Sequence, residues 1–124
     1  VASGGELARI SLAISVIASS ATATPTLVFD EVDSGIGGAV AEVVGRLLKR
    51  LGQDRQVLCV THLPQVASQA NQHFEVSKTQ DDGKTVSHIT PLDNKQRVEE
   101  IARMLGGVEI TATTRKHARE LLAL

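Results

Sequence analysis

The stretch TLVFDE, residues 26–31, decides the fold: an apolar run ends on two adjacent carboxylates. Such a run is typical of a strand that is buried on both faces of a parallel sheet. Ligands of open α/β sheets bind beyond the carboxyl ends of the strands, which is where Asp30 and Glu31 would lie. One carboxylate there can hold Mg²⁺ through water, and its neighbour can polarise an attacking water. A strand that ends in solvent with two acids explains this stretch alone about equally well.

A second apolar stretch repeats the pattern downstream. Residues 56–61 are predicted to form another buried strand, which ends at His62. A helix between the strands should stop at Gly52. Its inward residues are predicted to be Val40, Val44, Leu47, Leu48 and Leu51. This strand–helix–strand order predicts an α/β sheet with a right-handed crossover. His62 could sense a phosphate, although a histidine at a strand end is more often a plain surface residue.

The chain opens on a loop-to-helix junction. Ser3 and Glu6 form a capping-box pattern, which predicts a helix from Gly4 to about Ala18. The free N–H groups of a helix N-terminus suit a phosphate, and Gly4 and Gly5 would let it approach the backbone. Taken alone, the motif is explained more simply as a capped helix start. Because domains rarely begin on so specialised a loop, we expect this chain to be a segment of a longer protein.

Local signals predict the elements of the second half. A short helix is predicted from Pro64 through Ala70, and a hairpin around residues 74–76 and 85–90. A third helix should be capped by Asp93 and Gln96 and ended by Gly106, and a last helix should begin at about Thr113. The hairpin prediction rests on the turn residues Asp81-Asp82-Gly83. His73, His88 and His117 lack the spacing of metal ligands, so no metal is assigned to them.

Composition limits the classes of function. The chain is 42% hydrophobic and 22% charged, which is ordinary for one globular domain or part of one. A net charge of −1, with two Phe and neither Tyr nor Trp, gives no support for DNA binding by this segment alone. No apolar run approaches the length of a membrane span. The lone Cys59 excludes an internal disulfide and fits a reducing cytosol.

The order of these motifs resembles the ABC ATPase family at every step. Ser3-Gly4-Gly5-Glu6 matches the signature, residues 27–31 the Walker B strand, Asp33-Ser34-Gly35 the D-loop, and His62 the switch histidine. The resemblance implies an α/β fold, the C-terminal lobe of an ABC/SMC-type P-loop ATPase head. Such a lobe has a mainly parallel sheet flanked by helices and a C-terminal β-hairpin.

Within this family the chain most resembles the RecN-type ATPases of DNA double-strand-break repair. The match covers essentially the whole chain and rests on residues 1–7, 29–36, 59–67, 74–78 and 105–107. Ala2 and Glu6 depart from the Leu and Gln that transporter ATPases usually have at those places. A Glu at the position of Glu6 is common in SMC-like proteins.

The resemblance implies ATP and Mg²⁺ as cofactors and a role for each carboxylate. Asp30 would hold Mg²⁺ through water, Glu31 would act as the general base, and His62 would contact the γ-phosphate. In this family ATP is sandwiched between two heads. Ser3, Gly4, Gly5 and Glu6 would therefore serve the nucleotide of the partner head in a homodimer. Asp33 and Ser34 would face that partner across the seam.

The sequence contains no G-x-x-x-x-G-K-[ST] phosphate-binding loop. By resemblance, that Walker A segment and a coiled coil lie N-terminal in the intact protein, so we expect this chain alone to be inactive. The full-length protein would bind DNA. It would act in the bacterial cytoplasm, at the nucleoid, and would have no membrane partner. Two alternatives stay open: a nucleotide-free dimerisation module, and the head of another SMC, Rad50-like or transporter ATPase.

Overall fold

The computed structural model describes Ala13 and residues 23–30, 36–106 and 109–124. The chain divides into two compact units, residues 1–70 and 71–124. The described elements are β1 (Thr26–Phe29), α1 (Gly38–Leu51), β2 (Gln56–Cys59), α2 (Pro64–Ala67), β3 (Phe74–Asp81), β4 (Lys84–Pro91), α3 (Asn94–Leu105) and α4 (Ala112–Leu122). No helix in these ranges is long and apolar enough to cross a membrane.

The first unit contains a parallel strand pair. β1 and β2 pair along their whole length, so that Phe29 lies opposite Cys59. Hydrogen bonds continue the ladder at both ends: Gln56 N–H donates to the Pro25 carbonyl, and Val60 N–H to the Phe29 carbonyl, each at 2.9 Å. Since α1 connects the two strands, the predicted strand–helix–strand unit is confirmed.

The described residues cover only one face of this strand pair. Phe29, Val57 and Cys59 pack against the apolar core of the unit. The side chains that alternate with them are exposed, Val28 by 67% and Val60 by 60%. The prediction of strands buried on both faces is therefore wrong. Successive side chains of a strand point to opposite faces, and the described helices of this unit pack on one face only.

α1 supplies most of that core. Its buried apolar residues recur every three or four positions and so form one helical face: Ala41, Val44, Leu48 and Leu51. Val66 of α2 completes the cluster. Val40 and Leu47, predicted to face inward, are half-buried. The helix stops where predicted, because Gly52 N–H donates to the Leu48 carbonyl at 3.0 Å.

The second unit begins with the predicted hairpin. β3 and β4 pair antiparallel, with Phe74 opposite Pro91 and Asp81 opposite Lys84. The two residues between the strands, Asp82 and Gly83, have φ of 49° and 75°. Tight hairpin turns of this kind require positive φ, and Asp-Gly tolerates it well. The turn chemistry therefore predicted the hairpin correctly.

Both helices of the second unit carry side-chain caps. Asp93 Oδ1 accepts from Gln96 N–H at 2.8 Å while Gln96 Oε1 accepts from Asp93 N–H at 2.9 Å, the predicted capping box. Thr111 Oγ1 accepts from Thr114 N–H, so α4 begins one residue before its predicted start. α3 and α4 bury Val98, Ile101, Ala102 and Ala118.

Charged side chains gather around His73 in this unit. Burial lowers the pKa of His73, the positive charge of Arg97 lowers it further, and Glu100 opposes both. Glu100 is itself buried and accepts hydrogen bonds from Arg103 Nε at 3.0 and 3.1 Å. The surroundings of His73 therefore favour its neutral form.

Candidate functional site

The carboxyl edge of the parallel pair brings two predicted site residues together. Asp30 follows β1 directly and is exposed. Because β2 runs parallel to β1, the chain leaves β2 at the same edge and reaches His62 three residues later. The bond from Val60 N–H to the Phe29 carbonyl keeps the strands paired up to the residue before Asp30. Asp30 and His62 thus stand at one edge of the sheet, and both are exposed.

His62 lies in a tight strand-to-helix turn. Thr61 Oγ1 accepts from Leu63 N–H at 3.1 Å, which closes the turn around His62. The Leu63 carbonyl then accepts from Val66 N–H at 3.1 Å and from Ala67 N–H at 3.0 Å, so Leu63 is the N-cap of α2. Within residues 61–67, His62 is the only exposed residue. The fold therefore directs this one position to solvent.

α2 is in turn fixed against α1. Val66 and Ala67 are buried. Gly45 of α1 lies so close that an added Cβ would stand 2.9 Å from the Gln65 carbonyl oxygen and 3.2 Å from Val66 Cα. Glycine at this helical position lets the two backbones meet. The position of His62 is therefore set by a helix contact on the buried side of the same turn.

The chemistry available at this edge suits a hydrated divalent cation. Across residues 23–30, 36–106 and 109–124, no group of three or more His, Cys, Asp or Glu side chains is placed to hold a metal ion. Mg²⁺, however, typically takes one or two protein carboxylates and completes its shell with water and substrate phosphates. A single exposed carboxylate at a strand end, as at Asp30, fits that mode of binding.

Seven of the nine predicted site residues lie outside the described residues. They are Ser3, Gly4, Gly5, Glu6, Glu31, Asp33 and Ser34. Their assigned roles stay predictions. One residue that sequence reasoning gave no role, Thr61, proves to hold the turn at His62. The signal that could have revealed it is a hydroxyl residue two positions before the N-cap of a proline-initiated helix.

Three curated relatives of this chain carry the same name, DNA repair protein RecN. DNA repair protein RecN of Xylella fastidiosa (strain 9a5c) is 57% identical over 122 residues, and that of Deinococcus radiodurans is 54% identical over 123. RecN of Bacillus subtilis is 47% identical over 122 residues. The chain matches the C-terminal part of RecN. These alignments cover 98–99% of the chain but only 21–22% of each relative, so the chain spans about a fifth of their length. No protein-family model matches.

Solved structures confirm the predicted fold class. An SMC ATPase, studied for ATP-driven dimerization and DNA-stimulated activation, superposes with a TM-score of 0.72 at 23% identity. That superposition covers 87% of this chain and 65% of the other. The Smc head domain of Pyrococcus yayanosii, solved with a coiled coil and joint, superposes with a TM-score of 0.69 at 25% identity. That superposition covers 82% of this chain and 19% of the Pyrococcus chain. The RecN-like chain thus has the α/β fold of a C-terminal ABC/SMC head lobe.

Proposed function

We propose that this chain is the C-terminal lobe of an ATP-hydrolysing head in a RecN-type protein of DNA double-strand-break repair. The observation that carries the proposal is the parallel register that brings Asp30 and His62 to one carboxyl edge. A carboxylate at one strand end can hold the metal ion of a nucleotide, and a histidine at the neighbouring strand end can donate a hydrogen bond to its phosphate. The relatives' name, DNA repair protein RecN, supports the biological setting.

Three residues divide the hydrolytic work in this proposal. Asp30 would hold Mg²⁺ through water, and such an ion would offset the negative charge of the phosphates. Glu31, next in sequence, accepts the proton of the attacking water. His62 donates a hydrogen bond to the γ-phosphate and helps to place that water. Each role uses a side chain at or beyond the carboxyl end of a strand.

The remaining residues act across a pair of heads. Ser3, Gly4, Gly5 and Glu6 begin a predicted helix whose free N–H groups close over the γ-phosphate bound by the partner. Asp33 and Ser34 face that partner across the seam of the homodimer. The Walker A segment comes from the N-terminal part of the same protein. The full-length molecule binds DNA in the bacterial cytoplasm. On this proposal, the chain alone does not turn over ATP.

The test compares two neighbouring carboxylates in the full-length protein. Glu31→Gln keeps the shape of the side chain but cannot accept a proton, so ATP should bind while hydrolysis falls on the order of 10²–10⁴-fold. Asp30→Asn should weaken Mg²⁺-dependent nucleotide binding as well. Equilibrium binding of a fluorescent ATP analogue and steady-state phosphate release separate the two effects.

The outcomes also separate the proposal from a nucleotide-free dimerisation module. Such a module needs no carboxylate to activate water, so both variants would dimerise and behave like the wild type. Near-normal turnover in Glu31→Gln would remove that residue from the role of general base. Phosphate release by the purified 124-residue chain that persists in its Glu31→Ala variant would contradict the need for the Walker A segment.

A further inference from the structure

We propose that Thr61 is a positioning residue for ATP hydrolysis. Its hydroxyl holds the turn that presents His62. The inference rests on the proposed function, because it assigns Thr61 a part in the same reaction. It goes further by naming a residue whose part is to hold the backbone at His62. The geometry that supports it is the hydrogen bond from Leu63 N–H to Thr61 Oγ1 at 3.1 Å, which spans His62.

This bond fixes the backbone on both sides of His62. Hydroxyl side chains accept from an N–H two residues on and thereby stabilise a turn. On one side, Val60 N–H ties the chain to β1 through the Phe29 carbonyl. On the other side, Leu63 caps α2, and the buried Pro64 begins it. The Thr61 hydroxyl bridges these two fixed points across the one exposed position between them.

Losing the acceptor should free the turn without unfolding the unit. Thr61 and Leu63 are only half-buried, so water can reach the Leu63 N–H and satisfy it in place of the hydroxyl. Backbone groups make the strand ladder, and Gly45 meets the backbone of Gln65 and Val66 at the α1–α2 contact, so both should persist. The backbone at His62 would then sample more conformations. A misplaced catalytic group lowers the rate, and a displacement of about 1 Å can cost on the order of a hundredfold.

The experiment uses the full-length protein and a matched pair of variants. Thr61→Val keeps the branched shape but removes the acceptor, whereas Thr61→Ser keeps the acceptor and loses a methyl group. We expect kcat for ATP hydrolysis to fall about ten- to a hundredfold in Thr61→Val, with KM changed by less than about threefold. Thr61→Ser should keep kcat within about threefold of wild type. Should Thr61→Val fail to fold, Thr61→Ala replaces it.

A double-mutant cycle then asks whether Thr61 acts through His62. In a His62→Ala background, Thr61→Val should cause no further loss of kcat, because the group that it positions is already gone. A residue that merely stabilises the fold would instead lower kcat equally in both backgrounds and would shift the melting temperature. Equal losses, or a Thr61→Ser variant as slow as Thr61→Val, would overturn the inference.

Failure of this inference can be told apart from failure of the proposed function. Full activity of His62→Ala alone would remove His62 from the reaction and would overturn this inference, although ATP hydrolysis itself would stand. Absence of ATP hydrolysis by the wild-type full-length protein would instead overturn the proposed function. If His62→Ala is strongly impaired while Thr61→Val has wild-type kcat, the role of His62 stands and the positioning role of Thr61 is wrong.

Discussion

Gly45 of α1 and Gln65 of α2 meet backbone to backbone: a Cβ on Gly45 would stand 2.9 Å from the Gln65 carbonyl oxygen. A further atom, Gln69 Cγ, would be 2.8 Å away, but that side chain can move. The carbonyl cannot move without shifting α2. Because α2 begins directly after the turn that carries His62, this contact links the core of the unit to its candidate site.

Gly45→Ala should therefore destabilise the chain. Overpacking of a tight contact costs about 1–3 kcal/mol, whereas alanine in a helix is better than glycine by only about 1 kcal/mol. We expect a lower free energy of unfolding in urea. Gly38→Ala is the matched control in the same helix, since its nearest neighbour would be Gln65 Nε2 at 3.8 Å. Equal stability of the two variants would show that the helices do not meet as described.

Gly83→Ala should loosen the hairpin. Gly83 has φ of 75°, a backbone conformation in which the Cβ of alanine is strained against its own backbone. No other atom lies within 4 Å of that Cβ, so no new packing contact would offset the strain. The cost is about 1–2 kcal/mol. Asp82→Asn serves as the control, because asparagine tolerates the positive φ of 49° at that position. Chemical-shift changes confined to β3 and β4, together with a lower melting temperature for Gly83→Ala only, are expected. An unaffected Gly83→Ala variant would contradict the turn geometry.

Stability should fall at mildly acidic pH through His73. Burial lowers the pKa of this histidine below its ordinary 6.5, so the unfolded chain takes up a proton at a higher pH than the folded chain does. The stabilisation is complete above pH 6.5 and is lost as the pH falls through the lower folded pKa. His73→Gln should flatten the stability profile over this window. Replacement of the exposed His117 by glutamine is the control, and an equal flattening there would contradict the assignment.

Local signals allowed much of this structure to be predicted from sequence. The Asp82-Gly83 turn and the pairing of Asp93 with Gln96 depend on residues within four positions of one another, so sequence alone contains their cause. The end of β1 before Asp30 was likewise marked by an abrupt change from apolar to polar residues, whereas β2 ends at Cys59 and not at the predicted residue 61.

Contacts between distant residues could not be predicted in this way. The exposure of Val28 depends on what packs against the second face of the sheet, which an apolar run does not reveal. The close approach at Gly45 follows from the path of α2. From the helical pattern alone, Gly45 would be expected only to lower the stability of the helix. Thr61 was missed because one side-chain hydrogen bond leaves almost no trace in composition.

A mixing experiment tests most directly whether this lobe acts on ATP across a pair of heads. Full-length Ser3→Arg is combined in equal amounts with a variant that lacks the Walker A lysine. Neither homodimer should hydrolyse ATP, but half of the randomly mixed dimers pair one intact signature with one intact Walker A segment. Activity should recover to roughly a quarter of the wild-type rate if the two sites are independent. Full activity of Ser3→Arg on its own would contradict action across the pair of heads, because Ser3 would then only cap a helix.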